Sequence, residues 1–224
     1  MKRLISFTFI CCLLSSCSTL STVTRESQYS KMYEDMPLTL LVMPPINNSN
    51  DPEAKEFLYT SISRPLAEAG YYVISPLLTA DILKSENAYD SERFFDAPLT
   101  ELNNLFGADA VVFSIIESWE KIGLGIQTKL RYVIKSAQSN EILFDRSCEL
   151  YLDLAEFSRS NDLFGVLFDL ATSAISTATT DNIIAAREAN YYILRDIPRG
   201  KYNPDHMVDM EETAEKKDVF ILIH

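Results

Sequence analysis

The chain has 224 residues, of which 20 are lysine or arginine and 32 are aspartate or glutamate, so its net charge is −12. An acidic chain has no electrostatic attraction for nucleic acid or for anionic lipid headgroups, and the composition argues against binding to either. Hydrophobic residues make up 47%, which is normal for a globular protein, and the length suffices for one domain with its own core.

The first residues have the pattern of a secretory signal: a basic start, an apolar stretch from Ile5 to Leu14, and small residues before a cysteine. A membrane-spanning helix needs roughly 20 apolar residues, and this stretch has about half that number. Leu14-Ser15-Ser16-Cys17 is the lipobox of a bacterial lipoprotein. We therefore predict a lipoprotein signal, residues 1–16, rather than an ordinary cleaved signal or a membrane span.

Cys17 is the predicted lipidation site, with an S-diacylglycerol on its thiol and an N-palmitoyl group on its amine. Two or more acyl chains make a stable membrane anchor, whereas one gives only marginal binding. Ser18 follows the cysteine and favours the outer membrane, if the host is Gram-negative. We predict a lipid-anchored protein on the periplasmic face of the outer membrane, although the residues alone leave exposure outside the cell open.

Signal cleavage leaves 18 basic and 32 acidic residues and a charge of −14. With Cys17 lipidated, Cys148 is the remaining thiol, so no intramolecular disulfide is possible. A zinc cluster is excluded because only His206 and His224 could join Cys148 as ligands. We expect a buried structural thiol at Cys148, no metal and no cofactor.

The chain divides into a membrane-proximal tether, a single domain and a tail. Residues 17–36 are rich in serine, threonine and charge and predict a tether that is flexible or partly docked. Residues 37–204 predict a single α/β domain. Residues 205–224 form a charged tail with an apolar end, which could add an edge strand or serve as a recognition tail.

The domain opens with a predicted βαβ unit. Leu38 to Met43 is a buried strand, Asp51-Pro52 begins a helix that Pro65 should kink and Gly70 should end, and Tyr71 to Ser75 is the next strand. Later elements are a helix over residues 80–85 capped by Thr79, a helix over 97–106 and a buried strand over 110–116.

A hairpin follows, with arms over residues 127–135 and 141–153. The second arm alternates with period two, and Cys148 falls on its apolar face, while Arg146 interrupts that face and predicts a bulge or an edge. An apolar helix is predicted from Asp162 to Thr177, and a helix capped by Asp181 should reach about Leu194. The fold class is α/β (α+β): a small mixed sheet with an initial βαβ unit, a β-hairpin and C-terminal helices.

No motif for catalysis is present. Gly123-Leu124-Gly125 lacks the third glycine of a dinucleotide loop and predicts a turn. The polar loop from Asn47 to Asp51 could offer oxygen ligands to calcium, but these residues suit a capping turn without a metal. His206 and His224 are poorly placed for a general base, and no nucleophile, base and orienting group can be named together. We predict that the protein is not an enzyme.

Several local patterns resemble a family of bacterial lipoproteins of unknown function, the Gna-type conserved lipoproteins, which are often encoded beside a CsgG-like lipoprotein. The resemblance covers about Pro37 to Pro204. It is carried by Cys17 in its lipobox, by residues 41–49, 65–73 and 106–111, and by the Pro198-to-Pro204 stretch. It implies a small α/β domain like the amino-terminal domain of TolB, LpoB and the periplasmic part of CsgG, which bind proteins in the envelope.

These observations favour a membrane-anchored, non-enzymatic protein-binding or assembly factor of the envelope, with a CsgG-like lipoprotein as the suspected partner. Two alternatives remain open. One is a regulator of peptidoglycan synthesis. The other is a carrier of a small ligand or lipid that uses the apolar helix near Leu163 as a pocket wall.

Overall fold

The computed structural model describes residues 22–154 and 177–223. The predicted lipobox, Leu14 to Cys17, lies outside these residues, as does nearly all of the apolar helix predicted from Asp162. The described helices are α1 (Arg25–Gln28), α2 (Ser30–Asp35), α3 (Ala54–Ser61), α4 (Ser63–Glu68), α5 (Pro76–Ser85), α6 (Glu92–Phe95), α7 (Thr100–Phe106) and α8 (Thr177–Leu194), with a 3₁₀ helix over Asp209–Glu211. The strands are β1 (Thr39–Val42), β2 (Ile46–Asn47), β3 (Tyr72–Val73), β4 (Ala110–Ile122), β5 (Gly125–Ser136), β6 (Ile142–Asp153) and β7 (Asp218–Ile223).

The strands form one mixed sheet in the order β3-β1-β4-β5-β6-β7, and β2 pairs with β4 beyond the end of β1. The pairs β1–β3, β1–β4, β2–β4 and β6–β7 are parallel, whereas β4–β5 and β5–β6 are antiparallel. A mixed sheet with helices confirms the predicted α/β (α+β) fold class, including the βαβ unit of β1 and β3 and the β5–β6 hairpin.

The helical crossover between β1 and β3 follows the sequence closely. Asp51 Oδ1 accepts hydrogen bonds from the backbone nitrogens of Glu53 at 2.9 Å and Ala54 at 3.2 Å, which caps the start of α3. The helix is interrupted at Ile62, between α3 and α4. Pro65 causes this break, because its ring opposes the carbonyl group one turn earlier.

Three predicted helix starts are wrong. Helix α5 begins at Pro76 rather than after Thr79, because a proline at the first helical position already has a helical φ. Helix α7 begins at Thr100 instead of residue 97, although it ends at Gly107 as predicted. Helix α8 already includes Asp181, whose Oδ2 lies 3.6 Å from Lys121 Nζ instead of capping the helix.

The β5–β6 hairpin has no bulge at Arg146, where the sequence predicted a bulge or an edge, and its bulge lies nearer the start of β6. The register is regular at Arg146, opposite Tyr132, and shifts where Leu143 is the extra residue between Ile142 and Phe144. Leu143 is therefore buried, and Ile142, predicted to face inward, is exposed. Arg146 needs no bulge, because its guanidinium group finds buried partners, and pairing of β6 with β7 begins at the next residue.

Helices cover both faces of the sheet and enclose two cores. On one face, α3, α4 and α8 pack on alternate residues of β4, β5 and β6, and the core includes Leu58, Leu130, Leu150 and Ala189. On the other face, α5 and α7 cover only β1 and the first half of β4, around Phe113. The outward face of β6 and β7 has no helix over it within the described residues.

Folded structure extends beyond both predicted ends of the domain, residues 37 and 204. In the predicted tether, α1 and α2 bury Arg25, Tyr29 and Met32 against the domain. In the predicted tail, the 3₁₀ helix packs beside α1, and β7 joins the sheet as a parallel edge strand. The folded part therefore begins before Pro37 and continues past Pro204. Arg25, from the first segment, and Asp209, from the second, are buried against each other.

The loop after Pro198 packs directly on the turn at Gly70. The backbone nitrogen of Gly200 donates to Ala69 O at 2.9 Å, that of Tyr202 donates to Gly70 O at 3.0 Å, and the Tyr71 hydroxyl donates to Pro198 O at 2.6 Å. A Cβ atom on Gly200 would lie 2.5 Å from Gly70 O, which is closer than real contacts allow. The two backbones touch, so the contact needs a glycine here.

We expect Gly200→Ala to lower the free energy of unfolding by about 3 kcal/mol, because the added methyl group must push two backbone segments apart. Gly107→Ala is the control, since its Cβ would meet nothing within 4 Å and only its φ of +68° is unfavourable, at a cost of about 1 kcal/mol. Urea unfolding of the mature chain carrying Cys17→Ala, followed by the fluorescence of buried Trp119, measures both. Equal stability of the two variants would contradict the close packing.

Candidate functional site

A buried ion-pair network joins the first described helix to the C-terminal part of the chain. Arg25 Nε lies 3.3 Å from Asp196 Oδ1, and its Nη1 lies 3.2 Å from Asp209 Oδ2. The same Nη1 lies 2.9 Å from Oε2 of the exposed Glu212. Both aspartate side chains are fully buried, so the arginine supplies the positive charge that their burial requires.

Each buried aspartate also accepts hydrogen bonds that fix its position. Asp196 Oδ2 accepts from the Tyr29 hydroxyl at 2.9 Å and from the backbone nitrogen of Glu215 at 3.1 Å. Asp209 Oδ2 accepts from the backbone nitrogen of Arg199 at 2.9 Å. Bonds from neutral donors to a carboxylate are stronger than bonds between neutral groups, so these contacts hold the aspartates as paired acceptors.

Arg146 extends the network into the sheet. Its Nη1 donates to the carbonyl oxygens of Tyr192 at 2.8 Å and Ile193 at 2.9 Å, which are free because they lie at the end of α8. Its Nη2 pairs with Glu215, whose other oxygen lies 2.6 Å from Arg195 Nε. We refer to Arg25, Arg146, Asp196, Asp209 and Glu215 together as the arginine cluster.

The pKa shifts in the arginine cluster keep its groups in one protonation state. Burial lowers the pKa of Arg25, but the charges of Glu212 and Asp196 and its hydrogen bonds outweigh burial, so the net pKa is raised. Burial, followed by the neighbouring Asp196, raises the pKa of Tyr29. Arg25 therefore stays charged and Tyr29 stays a hydrogen-bond donor at physiological pH, and the groups act as fixed partners.

The residues singled out in the sequence for possible chemistry lie apart from this cluster. Burial raises the pKa of Cys148 to about 11, so its thiol stays protonated and unreactive at neutral pH. His206 Nδ1 lies 2.8 Å from the carbonyl oxygen of Arg199 in the loop before the 3₁₀ helix. Asn47 Oδ1 accepts from the backbone nitrogen of Ser49 at 3.1 Å, so the polar loop forms the predicted capping turn.

The described residues form two depressions of very different size. One cleft, between Met36, Met207 and Tyr71, has a volume of about 10 Å³, which is room for a single water. An open depression of about 440 Å³ is lined by Arg93, Phe94, Ala97, Pro98, Thr100 and Glu101. Across residues 22–154 and 177–223, no three or more histidine, cysteine or acidic side chains are grouped to hold a metal ion.

Helices of the described part are too short or too polar to cross a bilayer. The candidate anchor, Cys17, lies outside the described residues, so the site that the structure provides is the place where the chain from Cys17 meets the domain. Thr24 forms an isolated antiparallel bridge with Thr213, and Arg25 follows directly. Among the described residues, which begin at residue 22, the arginine cluster is therefore the first buried contact with the rest of the domain.

We expect Arg25→Met to lower the free energy of unfolding by about 3–5 kcal/mol, because it leaves two buried carboxylates without a cation. The segment from Thr22 to Met36 should then be cut early by a protease, because its main buried contact is lost. The control is Arg64→Met, because the side chain of Arg64 is 85% exposed in its pair with Glu68 and such pairs contribute under about 1 kcal/mol. If both variants unfold at the same urea concentration, the arginine cluster does not hold the segment.

Comparisons with known proteins give a sequence family and several structural similarities. A family model described as "Putative lipoprotein GNA1162-like" matches residues 27–196. A relative from Neisseria meningitidis serogroup B (strain ATCC BAA-335 / MC58), named "Putative lipoprotein NMB1124/NMB1162", is 25% identical over 161 residues, covering 70% of this chain and 74% of the relative.

Two solved structures have lower similarity. Lipoprotein GNA1162 from Neisseria meningitidis is 22% identical with a TM-score of 0.47, covering 64% of this chain and 99% of that chain. The C-terminal domain of LpoB from Salmonella enterica is 18% identical with a TM-score of 0.38, covering 56% of this chain and 94% of that chain. The assignment therefore rests on the sequence match, which spans more than half of the chain: this chain belongs to the GNA1162-like lipoprotein family.

Proposed function

We propose that this protein is a non-enzymatic lipoprotein of the bacterial outer membrane that holds its α/β domain close to the bilayer and there binds another envelope protein. The observation that carries the proposal is the docking of α1 and α2 on the domain through Arg25. It sets how far the domain stands from the lipid on Cys17. Family membership supports the anchor, and Ser18 after the cysteine supports the outer membrane.

The docked segment shortens the link between lipid and domain. If residues 17–36 were all linker, about 20 residues at 3.3–3.6 Å each would allow the domain to stand roughly 65–70 Å from the lipid. Because docking begins at Thr24, the link spans about seven residues and at most roughly 25 Å. A short link favours work at the membrane surface over reach into the cell wall.

Binding, rather than catalysis, is supported by what the charged side chains inside the domain do. Arg25 and Arg146 neutralise buried carboxylates and cap α8, and Cys148 is held protonated. These groups tie chain segments together. A partner would then be bound by the exposed surface of the domain.

The outer edge of the sheet is the surface we assign to the protein partner. Strand β7 is the last strand of the sheet, and its outward side chains Phe220 and Leu222 are exposed, Phe220 by 66%. Tyr151, opposite Leu222 on β6, continues this apolar surface. An edge strand with exposed apolar side chains fits a protein that adds a strand or packs on the face. A CsgG-like lipoprotein is the partner we propose to test first.

The test is a crosslinking pulldown from native membranes with the wild type, Phe220→Asp and, as a control, Leu105→Asp, whose side chain is 59% exposed on α7. We expect one stoichiometric envelope protein with the wild type and with Leu105→Asp. Phe220→Asp should reduce its capture at least about tenfold, since a central aromatic contact contributes more than about 1.4 kcal/mol. Cys17→Ala should weaken capture without abolishing it, because the lipid raises the local concentration.

Four results would contradict the proposal. Background capture alone with the wild type would remove the partner, and equal capture with Phe220→Asp would remove the assigned surface. Binding of the purified protein to isolated sacculi, or stimulation of a peptidoglycan synthase, would support a cell-wall regulator instead. Extraction of a stoichiometric lipid from pure protein would support a carrier.

A further inference from the structure

Two methionines have a backbone conformation that methionine rarely adopts. Among the described residues, the non-glycine positions with positive φ are Asn87 and Asn140, which tolerate it well, and Met36 at 44° and Met207 at 63°. The left-handed region costs a methionine free energy that a glycine would not lose. Burial does not compensate for this cost, because the side chains of Met36 and Met207 are 56% and 39% exposed.

Both methionines lie at the rim of one shallow cleft. The cleft is also lined by Tyr71 and Pro198, and it has room for about one water. It therefore cannot hold a ligand, and its rim functions as a surface. Val208, the next residue after Met207, is 72% exposed. We refer to Met36, Met207 and Val208 as the methionine surface.

The methionine surface lies beside the place where the chain leaves towards Cys17. The 3₁₀ helix joins Val208 to Glu212, whose carbonyl oxygen accepts a hydrogen bond from the backbone nitrogen of Arg25 at 2.9 Å. Three residues of 3₁₀ helix rise about 6 Å, so Val208 is on the order of 10 Å from α1. That separation is smaller than the roughly 25 Å that the link to the lipid can span.

This surface also lies at one end of the sheet. Met36 comes three residues before β1, whose Leu40 pairs with Ala110 at the start of β4. Leu124, in the turn at the other end of β4, is 70% exposed. A strand of 13 residues spans about 43 Å, which places Leu124 far from the methionines.

The charges around the surface are mixed. Arg199 and Lys201 precede it, Asp205 and His206 are its immediate neighbours, and Glu211 and Glu212 follow. The acidic Asp35, Asp205, Glu211 and Glu212 outnumber Arg199 and Lys201, so charge gives this surface no attraction for anionic headgroups, and the attraction that it can offer is apolar. Methionine and valine side chains of this kind suit the boundary between headgroups and acyl chains.

We infer that the methionine surface rests on the bilayer interface, with the domain oriented so that β4 points away from the membrane. The inference rests on the proposed lipid anchor at Cys17, which keeps the surface at high local concentration beside the lipid. It adds a second, non-covalent contact that fixes the orientation of the domain. Strand β7 then runs roughly along the membrane normal, and its free edge is accessible to a protein in the same membrane.

The test places a fluorescent probe on the surface of the full lipidated protein. Met207→Cys and, separately, Val208→Cys are labelled with an NBD maleimide, and Leu124→Cys is the control. The lipidated Cys17 is acylated and Cys148 is buried, so the label reaches the introduced thiol. Each labelled protein is reconstituted into vesicles of phosphatidylethanolamine and phosphatidylglycerol, with and without brominated acyl chains.

We expect NBD at positions 207 and 208 to shift to shorter wavelength and to lose about half of its emission to brominated lipid, as for a group buried roughly 5–10 Å into the interface. The label at position 124 should be unaffected. A protein that floats with the vesicles but shows no quenching at 207 and 208 overturns the inference and leaves the anchor intact. A shift to shorter wavelength without bromine quenching also overturns it, by indicating a protein occupant. A protein that carries no lipid on Cys17 and does not float overturns both the anchor and the inference.

Discussion

The pairing of Arg25 with buried Asp196 and Asp209 is the contact on which the arrangement of this protein depends. It joins three parts of the chain that are far apart in sequence: α1, the residues just after α8, and the 3₁₀ helix. Two carboxylates without a cation could not stay buried. The arginine therefore fixes where the segment from Arg25 to Met36 lies, and with it where the lipid that we propose on Cys17 could be held.

The rest of the architecture follows from that position. Arg146 continues the network into β6 and holds the end of α8 through two carbonyl groups, and Glu215 leads the chain into β7. Strands β1, β4, β6 and β7 all run in one direction, away from the end where α1 enters. Under the proposed function, an anchor at that end would present the length of the sheet edge to neighbours in the membrane, as the assembly role we propose requires.

Local patterns in the sequence predicted much of the fold. The strand at Leu40, the cap at Asp51 and the helix break before Pro65 each depend on residues within one turn or one strand, and the structure confirms them. The arginine cluster could not be predicted, because Arg25 is separated from Asp196 by 171 positions and from Asp209 by 184. Because its partners are so distant in sequence, the charged segment around Arg25 cannot be told from a linker by its composition alone.

Distant partners also explain two details at other elements. Arg146 interrupts an apolar face and predicted a bulge or an edge; it has no bulge, β7 pairs with β6 only from Ser147 on, and the partners of Arg146 are backbone carbonyls of a helix 46 residues away. Asp181 predicted a helix start, but it lies within α8 and pairs with Lys121 at the end of β4. The lipobox prediction at Cys17 needs no tertiary contact, so it remains a prediction that lipid analysis can test directly.

Hydrogen exchange of the lipidated protein in membranes tests the central claim most directly. If Arg25 docks the membrane-proximal segment, the amides of Tyr29 to Met36 should exchange as slowly as those of α8, and Arg25→Met should release them while β4 stays protected. Exchange of these amides within seconds in the wild type, at the rate of an unstructured linker, would contradict the account and return the domain to a long, flexible tether.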